Sequence, residues 1–366
     1  MVPIARRNLL ADKVKLIVAV GGVTLAIVLI IVVHSLYQGV RRETDTFIRN
    51  LPGDIWIVQR GTTDLVFSNS SLPTTSASAV RTVDGVRQVY ALNGRLMAFE
   101  VDGREVRTYV MALEFIGGSG APEGTEFVPE KGTIVLDHTF AKQTGLSEGD
   151  ELKFGDKSFT VADVRSIGNV LVTQFAFITP ESFRDIFNVT GAVNYLLVTV
   201  DEGVAPDTLI ASLAERVPGS SVYTTEQFAA RASEKGTGDF LPIIRVILVI
   251  SFIVGLAVLS LVIYSATIER AREYAIMKVI GASPMGLYRI VLSQSIFIAV
   301  VGFGAGVGLA FLFNEVAGDL VPQFITYIRT QDIALVFGIT LVMSIIASFM
   351  PINRVARVEP ATVFRA

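Results

Sequence analysis

The sequence has 366 residues, of which 51% are hydrophobic and only 18% are charged. Its mean hydropathy is +0.56, and its charged share lies below the roughly 25% of ordinary globular chains. These averages exclude a disordered or fibrous protein and argue against a wholly soluble one. The formal net charge of −3 is unlike that of nucleic-acid binders, so no nucleic-acid partner is expected. Because there is no cysteine, disulfides and cysteine chemistry are also excluded.

Four apolar stretches are long enough to cross a bilayer, which requires about 20 residues in a helix. They run over residues 16–36, 241–268, 287–313 and 333–350. The first stretch is too long for the apolar region of a usual signal peptide, and no A-x-A-like cleavage site follows it. We therefore expect an uncleaved first helix and an α-helical membrane domain of four transmembrane helices.

Basic residues concentrate before the first span, between the second and third spans, and after the fourth span: Arg6, Arg7, Lys13, Lys15, Arg270, Arg272, Lys278, Arg289, Arg354, Arg357 and Arg365. Cytoplasmic loops carry such an excess of Lys and Arg. The sequence thus predicts a multi-pass protein of the plasma membrane with both termini and the 269–286 loop cytoplasmic, and with residues 41–240 outside. Arg41, Arg42 and Arg49 oppose the rule, but long translocated domains weigh little in topology.

Residues 41–240 are predicted to form a mixed α/β domain inserted between helices 1 and 2. Strands are expected near residues 54–58, 95–110, 132–136, 151–164 and 195–200, with helices at 139–144 and 206–217 and a surface loop at 68–78. The three predicted regions are residues 1–40, 41–240 and 241–366. We find no catalytic constellation in any of them, so the chain is not expected to be an enzyme.

No phosphate-binding G-x-x-x-x-G-K-[ST] loop occurs, so ATP, if it is used, must be bound with its Mg²⁺ by a separate subunit. The loop between the second and third spans, TIERAREYAIMKVIGASP, is charged and then amphipathic. Taken alone, it reads as a plain interfacial helix. It nevertheless resembles the E-R-x-x-E…G-A-S signature of FtsX/MacB-type ABC permeases. The ending PINRVARVEPATVFR and the stretch from Gly132 to Val164 are similar to further parts of that family.

The resemblance implies a homodimeric permease that works with two copies of an ATPase subunit. It assigns the loop to a coupling helix that docks on the ATPase, with these residues in the matching positions: Glu269, Arg270, Arg272, Glu273, Lys278 and Gly281. Reversing the charges of Glu269 and Glu273 should then uncouple the ATPase from the permease. In MacB the ATPase is fused at the N-terminus, whereas here about fifteen residues precede the first span. Residues 2–11 are expected to form an amphipathic elbow on the inner leaflet.

The third span carries two pairs of glycines at small-xxx-small spacing, which permits close approach of membrane helices: Gly302, Gly304, Gly306 and Gly308. We expect these glycines to pack the third span tightly within one subunit. The alternative is that they form a helix contact that slides during transport. Ser293, Gln294 and Ser295 are expected to form interhelical hydrogen bonds. Because no Asp or Glu lies deep in a span, an ion-coupled pump with a carboxylate relay is not indicated.

A candidate substrate mouth is formed by residues near the outer ends of the first two spans: His34, Tyr37, Glu234, Asp239 and Phe240. One subgroup of the family exports haem, and histidine is an axial-ligand type. The alternative for His34 is an interfacial side chain with its polar tip among lipid headgroups. His138 is expected to have a capping and surface role, and no resident metal or cofactor is predicted.

The sequence therefore predicts a permease that exports a hydrophobic or amphipathic substrate, with haem among the options. Two alternatives remain: a mechanotransmitter that regulates an outer partner such as a cell-wall hydrolase, and a membrane-anchored receptor without an ATPase. The receptor leaves the 269–284 loop and the C-terminal tail unexplained.

Overall fold

A computed structural model describes residues 13–66, 68–101, 104–154, 157–170, 173–238, 241–321 and 324–356. The amphipathic elbow, the two hairpin turns at 102–103 and 155–156, and the end of the tail lie outside these residues. The chain divides into a membrane unit (1–38, 240–319 and 326–366) and an α/β unit (39–239 and 320–325).

Four described helices are long and apolar enough to cross a membrane. They are α1 (Lys13–Asn50), α7 (Leu241–Glu269), α9 (Pro284–Leu320) and α10 (Thr330–Ala356), and the short α8 (Ala271–Val279) joins α7 to α9. Each of the four contains a predicted apolar stretch. Three of the helices extend well beyond the apolar stretch that predicted them. A change from apolar to polar residues indicates where a helix leaves the membrane, but the helical hydrogen bonds can continue past that point.

The α/β unit contains twelve strands and five short helices in the described residues, in the order β1 (Ile55–Gln59), β2 (Leu72–Pro73), α2 (Thr75–Val80), β3 (Val86–Val101), β4 (Arg104–Gly118), β5 (Thr133–Asp137), α3 (His138–Thr144), β6 (Glu151–Phe154), β7 (Lys157–Arg165), β8 (Asn169–Val170), β9 (Thr173–Phe177), α4 (Pro180–Phe187), β10 (Ala192–Val193), β11 (Tyr195–Val200), α5 (Pro206–Arg216), β12 (Ser220–Thr224) and α6 (Thr225–Gly238). A ten-stranded sheet runs in the order β12-β1-β11-β3-β4-β9-β5-β7-β6, with β8 on β9.

The sheet is mixed, since most pairs are antiparallel while β4–β9 and β5–β7 are parallel. Successive side chains of a strand point to opposite faces, so β1 supplies both sides of the sheet. Trp56 and Val58 enter one core with Phe228, and Ile55 and Ile57 enter the other. The two buried faces explain why this strand is almost wholly apolar.

Two sequence expectations for this unit are corrected. The Ser/Thr-rich stretch 68–78 is not only a loop, because it contains β2 and the start of α2, where Ala77 and Val80 are buried. The hairpin predicted at 95–110 belongs to a longer one, in which β3 and β4 pair from Val101↔Arg104 back to Gln88↔Gly118.

Candidate functional site

The α7–α9 loop is anchored to the membrane unit by one side of α8. Tyr274 is 2% exposed and Ala275 is fully buried. Tyr274 forms a small apolar cluster with Leu287 and Ile290 of α9. This burial raises the pKa of the Tyr274 phenol above its ordinary value.

The other side of α8 presents apolar side chains to the exterior. Val279 is 62% exposed and Ile280 is 80% exposed, and they continue a row that begins at Ile276. Gly281 follows the end of the helix at Val279 by two residues, and its φ of +96° suits glycine. Met285, in the first turn of α9, adds a further exposed side chain. We call Ile276, Val279, Ile280 and Met285 the loop face.

The predicted charged residues of this loop differ in their exposure and in their ion pairs. Arg272 and Glu273 are exposed. Glu273 lies 3.6 Å from Arg270 in an i,i+3 pair, and Glu269 is paired with Lys15 of α1. A charge reversal at Glu269 would also place two positive charges together, because Glu269 is paired with Lys15. This substitution is therefore a less specific test of docking than a substitution in the loop face.

His34 lies in a polar cluster that links α1 to the start of α10. Its Nε2 atom is 3.2 Å from Asp332 Oδ1 and 3.3 Å from Gln38 Nε2. Arg329 Nη2 donates to Gln38 Oε1 at 2.7 Å. The nitrogen that would bind a haem iron is therefore already engaged within the chain.

Of the other members of the predicted mouth, Tyr37 belongs with His34 to the membrane unit and Glu234 belongs to the α/β unit. Tyr37 is half-buried on α1, and Glu234 is exposed on α6 of the α/β unit. Asp239 and Phe240 lie outside the described residues.

The four glycines of α9 divide into two pairs by what surrounds them. A Cβ atom at Gly302 would lie 2.7 Å from Val23 Cγ1, and one at Gly306 would lie 2.7 Å from Ile27 Cγ2. This pair packs on α1, where the hydroxyl of Thr24 also donates to the carbonyl of Gly302 at 3.2 Å. A Cβ at Gly304 or Gly308 would meet nothing within 4 Å, so the predicted packing role does not apply to them within this chain.

The polar residues of the same helix are also placed. Ser295 is buried and donates from Oγ to the carbonyl of Ser344 at 2.7 Å, which joins α9 to α10. Gln294 is buried beside it.

An apolar groove of about 940 Å³ lies between α7 and α10 and is lined by Ile253, Leu256, Leu261, Tyr264, Ile345 and Phe349 among others.

His138 shows no arrangement for chemistry. It is the first residue of α3, and its neighbour Asp137 caps that helix by accepting from the Thr139 amide at 2.8 Å. Across the described residues there is no group of three or more His, Asp or Glu that could hold a metal ion.

Sequence patterns did not predict Tyr274 as the anchor of α8, Gln38 and Asp332 as partners of His34, or Arg329 as a donor to Gln38. A signal for Gln38 was present, because residues four apart share a helix face and a polar pair on a spanning helix is unusual. Asp332 directly precedes the fourth apolar stretch. Its pairing across 298 positions, from His34 to Asp332, has no local signal in the sequence.

These features define a multi-pass membrane protein that carries a large α/β domain. Residues 16–216 match the family model of the MacB-like periplasmic core domain, and residues 245–360 match that of the FtsX-like permease C-terminal. The chain belongs to the FtsX/MacB-type family of ABC transporter permeases, and its α/β domain is accordingly extracytoplasmic.

Individual relatives agree with this assignment. An uncharacterised ABC transporter permease of Methanocaldococcus jannaschii is 25% identical over 236 residues, which is 60% of this chain and 58% of that protein. The macrolide export ATP-binding/permease protein MacB of Shewanella sp. is 28% identical over 171 residues, 45% of this chain and 26% of MacB. The lipoprotein-releasing system transmembrane protein LolC of Xylella fastidiosa is 25% identical over 234 residues, 57% of this chain and 55% of LolC.

The chain thus spans less than two thirds of the length of each of these relatives. Among solved structures, the periplasmic region of MacB from Actinobacillus actinomycetemcomitans matches with a TM-score of 0.36 and 11% identity, over 49% of this chain and 92% of that chain.

Proposed function

We propose that this chain is the permease subunit of an ABC exporter that works as a homodimer with a separate ATPase subunit. The loop face carries this proposal. Four large apolar side chains, Ile276, Val279, Ile280 and Met285, are exposed in a short loop between two spanning helices. Exposed apolar patches of this kind mark protein–protein or membrane interaction sites, and we propose that this one binds a protein.

The loop is suited to transmitting force because its two sides differ. Tyr274 and Ala275 fix α8 to the membrane unit, while the loop face is left for a partner. A rigid-body shift of a docked ATPase would therefore be passed through Tyr274 to α9. ATP and Mg²⁺ would be held by that partner, since the sequence contains no phosphate-binding loop of the Walker type.

We propose a hydrophobic or amphipathic substrate. The apolar groove between α7 and α10 supports this class, since its volume of about 940 Å³ falls within the range of small-molecule sites. MacB and LolC carry names that describe macrolide export and lipoprotein release. These relatives favour an exporter over the mechanotransmitting alternative. Haem gains no support from His34, because its Nε2 is occupied by Asp332 and Gln38.

The test is a pair of substitutions that put the same charge on two exposed valines. Val279→Asp places a carboxylate in the loop face, and Val128→Asp, in the α/β domain, is the matched control. The tagged full chain is purified in mild detergent from its native host, and the bound ABC ATPase is quantified by mass spectrometry together with ATP hydrolysis. We expect V279D to lose at least about 90% of the ATPase, a cost of roughly 1.4 kcal/mol or more, and V128D to retain it.

Equal recovery of the ATPase with V279D and V128D would exclude the loop face as the docking site. Absence of any ABC ATPase from the unsubstituted chain, under several gentle conditions, would contradict the proposed function itself. Stimulation of hydrolysis by apolar compounds would then be measured on the intact complex to test the substrate class.

A further inference from the structure

The polar cluster around His34 contains a conflict over one nitrogen atom. Arginine is a donor only, so the contact of Arg329 with Gln38 fixes Oε1 of Gln38 toward the guanidinium. The amide NH₂ of Gln38 then faces His34 Nε2 at 3.3 Å. Asp332 Oδ1, an acceptor, approaches the same nitrogen at 3.2 Å.

A single imidazole nitrogen cannot satisfy both neighbours. Without a proton, Nε2 accepts from Gln38 and turns its lone pair toward the carboxylate of Asp332. With a proton, Nε2 donates to Asp332 and no longer accepts from Gln38. A neutral His34 with its proton on Nε2 also donates to Asp332, but only a His34 protonated on both nitrogens makes the contact a charge-assisted hydrogen bond, which is the stronger link.

We infer that His34 and Asp332 form a proton-binding pair that fastens the outer end of the α1 span to the start of α10, and that loss of the proton loosens this link. This link is independent of transport and of any ATPase. The pair lies on the side of the membrane that leads into the extracytoplasmic domain, so the proton would come from the external medium.

The surroundings of the pair support this reading. A small cavity that His34 and Asp332 both border is otherwise lined by apolar and hydroxyl side chains, namely Ile31, Ser35, Ile328, Ile333 and Val336. The second oxygen of Asp332, Oδ2, is buried and has no hydrogen-bond partner among the described residues. A carboxylate so placed depends on nearby positive charge.

In the described part of the chain, the charged and titratable side chains that neighbour the pair along its two segments are Arg329, Tyr327 and Tyr37. Arg329 lies on the α10 side, where its guanidinium contacts Gln38 and stacks 5.7 Å from the ring of Tyr327. Tyr37 is one turn from His34 on α1. Among side-chain types, histidine is the one whose charge changes in the physiological pH range. The link should accordingly be tighter at pH 5.5 than at pH 8.0.

A backbone hydrogen bond beside the pair reports on the link. The amide of Tyr327 donates to the carbonyl of Ser35 at 2.9 Å, so it joins the same two segments. Its protection from deuterium exchange, measured on the full chain in lipid nanodiscs, should be about 5-fold greater at pH 5.5 than at pH 8.0 if the charged pair contributes about 1 kcal/mol. The amide of Thr225, which donates to the carbonyl of Asp54 at 2.8 Å in the α/β domain, corrects for the intrinsic effect of pH on exchange.

The chain offers an unusually clean control because it has two histidines. His138→Gln removes the other one and should leave the pH dependence intact, which assigns it to His34 without any change in the cluster. His34→Gln and Asp332→Asn should both abolish it. The inference is overturned if Tyr327 protection does not change with pH in H138Q, or if H34Q or D332N retains the full change while Thr225 shows that the protein is folded.

Discussion

Tyr109 shows how one buried hydroxyl links packing to pH. It is 7% exposed and donates to the carbonyl of Gly94 at 3.1 Å, while a Cβ atom at Gly94 would lie 2.2 Å from the ring. Burial raises the pKa of Tyr109 to about 12. Because folding favours the neutral phenol, its stabilising contribution is complete below about pH 10, the ordinary tyrosine value, and is lost as the pH rises through 12.

We expect Tyr109→Phe to remove one late-titrating phenol from an alkaline absorbance titration of the folded protein. It should also lower the free energy of unfolding by about 1 kcal/mol at neutral pH, because one hydrogen bond is lost. Loss of a phenol that titrates near pH 10, with the late one unchanged, would contradict the placement of this residue.

For single residues, the sequence predicts a structural role only where that role depends on neighbours along the chain, as in a helix cap. A helix over 139–144 was expected, and the structure ends it at Gly145, whose φ is +73°. The capping role expected of His138 belongs instead to its neighbour Asp137. The engagement of His34 with Asp332, by contrast, depends on how two spanning helices pack. Hydropathy says that both helices are in the membrane but not which faces meet.

At the scale of elements, the glycines of α9 provide a matched pair for mutation. Gly306 abuts Ile27 of α1, and Gly308, two residues later, has open space. Gly306→Val should cost about 1–3 kcal/mol through overpacking, while Gly308→Val should stay within about 0.5 kcal/mol. Thermal unfolding of the purified full chain in detergent measures both. Equal losses in the two variants would contradict the arrangement of α1 and α9.

Elements with a strong periodic or apolar signal were predicted, and those held by tertiary packing were not. β11 spans Tyr195–Val200, as expected from its apolar run. β9 and α4 were missed, although Phe175, Phe177 and Phe183 are buried in the two cores. Their sequence, TQFAFITPESFRDIF, mixes strand-like and turn-like residues, and only pairing with β4 and β5 fixes the strand.

At the scale of the whole molecule, orientation in the membrane is open to a direct test, because the natural chain has no cysteine. Ala121→Cys lies in the α/β domain and Ala282→Cys follows α8, and both positions are exposed. In intact cells, an impermeant maleimide should label A121C and spare A282C until the membrane is permeabilised. Labelling of A282C from outside would invert the proposed topology and place the loop face beyond the reach of any cytoplasmic ATPase.

The loop face also has a consequence for how the protein is made. Fully burying a large apolar side chain is worth about 1.5–3 kcal/mol, and Val279 and Ile280 forgo most of this until a partner covers them. A permease synthesised in excess of its ATPase would therefore leave this apolar surface free to bind chaperones, proteases and other exposed loops. On this reasoning the cell benefits from producing the two subunits in matched amounts, and an unpaired permease should be short-lived.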